Sequence, residues 1–236
     1  MTDPVGDDAR ESPNASGLAR MLADIRSDLV LTRHAIGKDA FDPRVLAAVG
    51  AVPRDAFVPS AMKHAAFANT PLPIGHGQTI SQPFIVALMT DLVALQPTQR
   101  VLEVGTGSGY QAAVLSLLCG TVFSIDRVAS LLTAASRRLD ALGYCNVHTT
   151  VGNGYLGWPQ QAPFDGIVVT AAANHVPPAL LQQLKPGGRM VIPVGMPHGS
   201  QDLLLFEKNL AGEIDSRAVI RVAFVPMIDR AASVDD

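Results

Sequence analysis

Three glycines at alternate positions, Gly105, Gly107 and Gly109, follow the apolar run Val101-Leu102-Glu103-Val104 and precede an apolar segment of helical length. A strand, a tight turn and a helix account for that order, and glycine supplies the backbone freedom and close approach that such a turn demands. A turn of this kind opens a crevice over the strand's carboxyl end, where a nucleotide-like cofactor would lie. The spacing G-x-G-x-G departs from the dinucleotide fingerprint G-x-G-x-x-G, because the third fingerprint glycine falls where this chain has Tyr110. That counts against NAD or FAD. Asp126 ends the next strand-like run, 21 residues after Gly105. A carboxylate there would accept hydrogen bonds from both hydroxyls of a ribose, although an aspartate at a strand end can also be a plain cap. Asn153-Gly154 would face an adenine, offering a side-chain acceptor and a backbone donor, but the same pair is a common tight-turn dipeptide. Ser81 lies in Gln78-Thr79-Ile80-Ser81-Gln82-Pro83, without the G-x-S-x-G elbow of serine hydrolases, so Ser81 or Gln82 reads first as the cap of a helix with Pro83 in its first turn. The six histidines show no ligand spacing, and no metal site is expected.

These residues need elements to hold them. Residues 1–16 are polar and acidic and are expected to be disordered. From Gly17, the positions Leu18, Met21, Leu22, Ile25, Leu29 and Val30 recur at helical spacing and predict an amphipathic helix of four to five turns. Asp42-Pro43 supplies a cap and a first-turn proline for a short helix that Val52-Pro53-Arg54 closes. The proline- and glycine-rich stretch 57–77 is expected to be an irregular loop, and its length suggests a functional one. Beyond the glycine turn, strands are expected at 121–126, 146–151, 164–170 and 189–194, with helices at 108–118, 128–142 and 176–184. Two closing strands, 203–206 and 218–225, are expected to pair antiparallel. This alternation predicts the α/β class, a doubly wound and mainly parallel sheet with added N-terminal helices. One domain over 17–236 is expected, with helices and the long loop in 17–99 and the cofactor-binding sheet in 100–236.

With 236 residues, 48% of them hydrophobic, the chain can build a substantial core. A formal charge of −3 leaves no basic excess to neutralise phosphates, which argues against nucleic acid as a partner. No stretch reaches the length of a membrane span, and no basic-then-apolar leader opens the chain. Cys119 and Cys145 both sit in apolar sequence and read as reduced core thiols. The expectation is a cytoplasmic monomer that needs neither membrane nor nucleic acid.

Several motifs join these readings: Val52-Pro53-Arg54 with Phe57-Val58-Pro59, then Pro71-Leu72-Pro73-Ile74-Gly75 running on through Gln78 to Pro83, then Val101 to Tyr110. Phe164-Asp165, Lys185-Pro186-Gly187-Gly188 and Phe224-Val225-Pro226 complete the set. In these the chain, chiefly over 52–195, resembles the protein-L-isoaspartate O-methyltransferase family, and the Thr-Ile-Ser-x-Pro segment separates that family from other S-adenosylmethionine enzymes. The resemblance implies a Rossmann-like methyltransferase fold and S-adenosyl-L-methionine as cofactor. It implies methylation of the α-carboxylate of L-isoaspartyl residues in damaged proteins and peptides, the step that starts their repair. It also implies Ser81 as the active-site serine and Thr79, Ile80 and Gln82 as substrate-facing. Glu103, Gly105, Thr106 and Gly107 become the cofactor turn, Asp126 the ribose site, and Asn153 with Gly154 the adenine site. Three departures stand out. Asp126 stands where many members have Glu, Asn153 where Asp is usual, and Ile228 where some carry Thr. A methyltransferase with a small-molecule acceptor would give no reason for the segment 79–83, and a non-catalytic cofactor-binding module would rest on Asn153 alone.

Overall fold

The computed structural model describes residues 13–196 and 199–229. In chain order its elements are α1 (Pro13–Ile36), α2 (Pro43–Ala51), β1 (Leu72–Gly75), β2 (Gln78–Ile80), α3 (Pro83–Val93), β3 (Arg100–Val104), α4 (Tyr110–Ser116) and β4 (Thr121–Asp126). They continue with α5 (Ala129–Ala141), β5 (Val147–Val151), β6 (Phe164–Val169), α6 (Pro178–Gln183), β7 (Leu184–Gly195), β8 (Gln201–Lys208) and β9 (Ile214–Val222). The sheet runs β5-β4-β3-β6-β7-β8-β9. Its first five strands are mutually parallel, while β8 and β9 close it antiparallel, as the alternation of the sequence predicts.

Strand periodicity divides the core in two. Val101 points into a cluster with Met21, Val45, Leu88 and Val114 from α1 to α4. Leu102 and Val104 point the other way, to Phe123, Ile167, Leu180 and Met190. Glu103 shares the face of Val101, beneath α4, and is fully buried there.

Four local readings need correction. Residues 13–16, expected disordered, form the first turn of α1, where Pro13 needs no N–H partner; residues 1–12 lie outside the described residues. The helix runs on to the buried Ile36 and stops at Gly37, whose φ is +75°. The stretch expected to be irregular begins at the end of one 3-10 turn (Arg54–Phe57), contains another (Ser60–Ala65), and supplies β1 and the turn of the hairpin β1–β2. The hairpin is a separate two-stranded sheet, where Pro73 removes no central ladder bond, and Gly75, His76 and Gly77 all turn with positive φ. Neither Ser81 nor Gln82 caps α3 through its side chain. Asn69 does so from a distance, its Oδ1 accepting the Phe84 N–H at 3.0 Å. Cys119 is buried, its thiol pushed up to about 12 by burial, whereas Cys145 is exposed rather than in the core.

Candidate active site

A cavity of about 670 Å³ opens at the carboxyl ends of β3, β4 and β6. β3 lies between β4 and β6, so the chain order reverses there, and open α/β sheets place ligands at such a switch point. The glycine turn after β3 is shaped by two constraints. Gly105 has φ +102°, and a Cβ at that position would come within 2.4 Å of the Thr170 Oγ1. That hydroxyl is itself directed at the Gly105 carbonyl, 2.7 Å away.

The three glycine N–H groups of the turn are already in use. Gly105 N–H donates to the Ile125 carbonyl at 2.8 Å, and Gly109 N–H to the Thr106 carbonyl at 2.7 Å. Gly107 N–H donates to Asp126 Oδ2, also at 2.8 Å. A pyrophosphate needs free backbone N–H groups at this place. With these glycine donors committed, the turn suits a ligand that brings no phosphate to them. Asp126 is held from both sides, since its Oδ1 accepts the Val128 N–H at 2.8 Å. Each carboxylate oxygen retains a second lone pair toward the cavity, the arrangement that two vicinal hydroxyls require.

Glu103 is not in the cavity wall. Its strand register turns it under α4, where the Ser124 hydroxyl donates to its Oε2, and Ser124 lies 2.6 Å from the Thr106 Oγ1. Thr106 does line the cavity, so Glu103 reaches it only through two hydroxyls. Burial pushes the Glu103 carboxyl up to about 8; the Asp126 charge adds to this, while Ser124 and the Ala112 N–H oppose it. The carboxyl is thus neutral at pH 7. Below pH 4.5 folded and unfolded chains both carry this proton, and between 4.5 and about 8 only the folded chain does. Stability therefore falls as pH rises through that window, by at most about 1.4 kcal/mol per unit. Glu103→Gln is expected to flatten the decline in Tm between about pH 5 and about pH 8. An unchanged slope would contradict the buried, protonated carboxyl.

Thr79, Ile80 and Ser81 all line the cavity, as do Gly105, Thr106, Gly107, Asp126 and Gly154. Gln82 and Asn153 do not. Gln82 turns from the cavity to donate to Asp28 at 3.3 Å. Asn153 caps a single 3-10 turn, its Oδ1 accepting the Tyr155 N–H at 3.0 Å while its Nδ2 donates to Asp229 Oδ1 at 3.0 Å. At this end the cavity meets Gly154, where a Cβ would collide with Val104 Cγ1 at 2.5 Å. The turn reading of Asn-Gly thus describes its side chain, and the close-approach reading describes its glycine.

Sequence reasoning misses Thr170, Arg127, His76 and Met227, which also line the cavity. Thr170 was within reach, since it follows β6, the strand beside the glycine turn. Met227 carries no local signal. It arrives because the segment after β9 returns alongside Ala172, which donates to the Val225 carbonyl at 2.8 Å and accepts from Met227 N–H at 2.7 Å.

Behind the hairpin, Arg54 is fully buried. Its Nη2 donates to the Ser81 carbonyl at 2.7 Å and its Nε to the Ala66 carbonyl at 2.9 Å. The Thr79 to Ser81 segment is therefore clamped from behind as it enters α3.

The family model for protein-L-isoaspartate(D-aspartate) O-methyltransferase matches residues 28–232. The chain belongs to this family. It is 53% identical over 219 residues to the protein-L-isoaspartate O-methyltransferase 2 of Syntrophobacter fumaroxidans, covering 93% of this chain and 89% of that one. It is 54% identical over 207 residues to the enzyme of the same name from a Polaromonas species, with coverage of 88% and 98%. A solved protein-L-isoaspartate O-methyltransferase superposes with a TM-score of 0.77 at 28% identity, over 89% of this chain and 65% of that longer one. A Plasmodium falciparum structure, provisionally named for the same activity and containing S-adenosyl-L-homocysteine, superposes with a TM-score of 0.71 at 24% identity, covering 93% of this chain and all of that one. That likeness concerns the fold alone, and the fold is the Rossmann-like methyltransferase sheet that the motifs imply. Among the described residues no cluster of three or more His, Cys, Asp or Glu is placed to hold a metal ion.

Proposed function

We propose that this chain methylates the free α-carboxylate of L-isoaspartyl residues in proteins and peptides, using S-adenosylmethionine, and so starts their repair. The observation that carries this reading is one cavity lined at once by the glycine turn, by Asp126, and by Thr79, Ile80 and Ser81. Gly105, Thr106 and Gly107 would hold the cofactor's amino-acid portion and Asp126 its ribose, while Gly154 would leave room for its base. A turn whose glycine N–H groups are internally bonded fits a cofactor without phosphate. When bound, S-adenosylmethionine supplies a methyl group whose bond to sulfur breaks as the bond to a carboxylate oxygen forms, sulfur keeping the electron pair.

Little proton chemistry falls to the protein. An α-carboxyl group has a reference pKa of about 3.3–3.7 and is ionised near neutrality, so its oxygen needs no general base. The remaining tasks are to orient that oxygen and to exclude water. Orientation of well-placed reactants can contribute about 7–11 kcal/mol. Ser81, which lines the cavity, would donate its hydroxyl to the carboxylate. A hydrogen bond to a charged group contributes about 1.5–3 kcal/mol, so Ser81→Ala is expected to lower kcat/KM about tenfold to a hundredfold with cofactor affinity unchanged. Wild-type turnover in that variant would contradict the role.

The same reading makes the chain one methyltransferase domain, a cytoplasmic monomer that acts without nucleic acid or membrane. Support comes from a core cluster that joins α1 and α2 to β3 and β7. The formal charge of −3 agrees, and among the described residues no helix is long and apolar enough to cross a membrane. The function is tested by incubating an isoaspartyl peptide with the protein and S-adenosylmethionine and following the products by chromatography. Succinimide and then aspartyl peptide are expected; an unchanged isoaspartyl peptide contradicts the reading.

A further inference from the structure

Arg54 is the largest of the fully buried side chains among the described residues. A closing role for Val52-Pro53-Arg54 at the end of α2 does not call for a guanidinium in that place. Two of its nitrogens bond backbone carbonyls, as described above. Nη1 and the buried Tyr110 hydroxyl meet no hydrogen-bond geometry, but the two side chains face and stabilise each other, so the nearest group to the guanidinium is a neutral phenol and not a counterion. The guanidinium carbon lies 4.7 Å from the centroid of the Tyr110 ring. Among the described residues no carboxylate forms an ion pair with Arg54. Asp28 is engaged by Asn69 and Gln82, and Asp126 by the backbone of Gly107 and Val128. A second cation stands nearby, with Arg138 5.8 Å from the Phe57 ring, which in turn packs edge-on against Tyr110.

A buried charge without a counterion is unfavourable, and such groups are normally paired. Neutral donors could tie the Ala66 and Ser81 carbonyls without that cost. Ser81 and Tyr110 both line the cavity, so the unpaired charge sits immediately behind the wall where the acceptor would lie.

We propose that Arg54 is a positioning residue that makes the Ser81 end of the cavity selective for an anionic acceptor, holding Ser81 through its carbonyl and leaving one positive charge for the acceptor carboxylate to balance. This rests on the carboxylate reading of the function. The attraction acts on the ionised acceptor and weakens as the neutral ester forms. Arg54 thus favours binding of the anion more than its conversion, so loss of the charge itself raises KM and does not lower kcat.

The test compares the wild-type protein with Arg54→Gln and Arg54→Lys at saturating cofactor. The readouts are KM and kcat for an isoaspartyl peptide, and the inhibition constant of the matched peptide whose α-carboxylate is a carboxamide. Wild type is expected to prefer the acid by about tenfold or more, the effect of one charge acting across a protein wall of intermediate dielectric. In Arg54→Gln that preference is expected to fall to near one, through a higher KM for the acid and an unchanged constant for the amide. Arg54→Lys keeps the charge but not the planar fork, so it should retain most of the preference; the fork is lost in both variants, and kcat is expected to fall to a similar degree in both. A merely structural Arg54 would instead weaken acid and amide alike in both variants, which overturns the proposal. If Arg54→Gln does not fold, Arg54→Lys decides alone: retained preference supports the role, and lost preference overturns it. A wild-type protein indifferent to acid and amide would overturn the carboxylate reading itself. Preference intact in Arg54→Gln would overturn the role of Arg54 alone.

Discussion

Gly105→Ala is expected to abolish measurable binding of S-adenosylmethionine and to lower Tm as well. Two effects combine at this position. The backbone has φ +102°, a region costly for a residue with a side chain, with a penalty of about 1–3 kcal/mol. The new methyl would also stand 2.4 Å from the Thr170 Oγ1, forcing that hydroxyl off the Gly105 carbonyl. The lost hydrogen bond adds about 1 kcal/mol. Because Gly105 and Thr170 both line the cavity, the adjustment cannot be made without reshaping the cofactor turn. Gly143→Ala provides the control. Its φ is +83°, but a Cβ there meets nothing within 4 Å. That variant should lose stability and keep cofactor affinity. Calorimetric titration of both variants separates strain from collision, and cofactor affinity retained in Gly105→Ala would contradict the assigned turn.

Asp126→Ala is the second large effect. The carboxylate anchors the Gly107 and Val128 N–H groups, each at 2.8 Å, and faces the cavity between them. Removing it leaves both donors without an acceptor and takes away the ligand's two acceptor sites. Hydrogen bonds to a charged group contribute about 1.5–3 kcal/mol, so cofactor affinity should fall by about a hundredfold or more. Asp126→Asn keeps one acceptor oxygen but points an amide donor at the other N–H, and an intermediate loss is expected. Equal affinity in Asp126→Ala and the wild type, measured by equilibrium dialysis, would remove Asp126 from the site.

The sheet and its cavity are legible in the sequence because their determinants are local. Gly105, Gly107 and Gly109 report unusual backbone angles, all three with positive φ. Asp126 reports the end of a strand whose neighbour is known once the alternation is read. Glu103 shows where locality ends. Its position beside the glycines suggests contact with the cofactor, but the register of β3 places it on the face of Val101, beneath α4. Asn153 is turned aside for a related reason, because its partners Tyr155 N–H and Asp229 depend on a 3-10 turn and on a returning C-terminal segment. Asn69 and Arg54 leave still less trace. One caps α3 from 15 residues away, and the other fixes Ser81 from 27 residues away. Both contacts exist only once the hairpin β1–β2 has folded back. What the sequence hides are tertiary hydrogen bonds that hold the site from behind.

The most direct test of the account offers the protein an equimolar mixture of two peptides, identical except for an isoaspartyl or a normal aspartyl linkage, with S-adenosylmethionine, and locates added methyl groups by tandem mass spectrometry. A methyl ester on the α-carboxylate of the isoaspartyl peptide, with the aspartyl peptide unmodified, is the predicted result. Equal methylation of both peptides, or of neither while cofactor is bound, would contradict it.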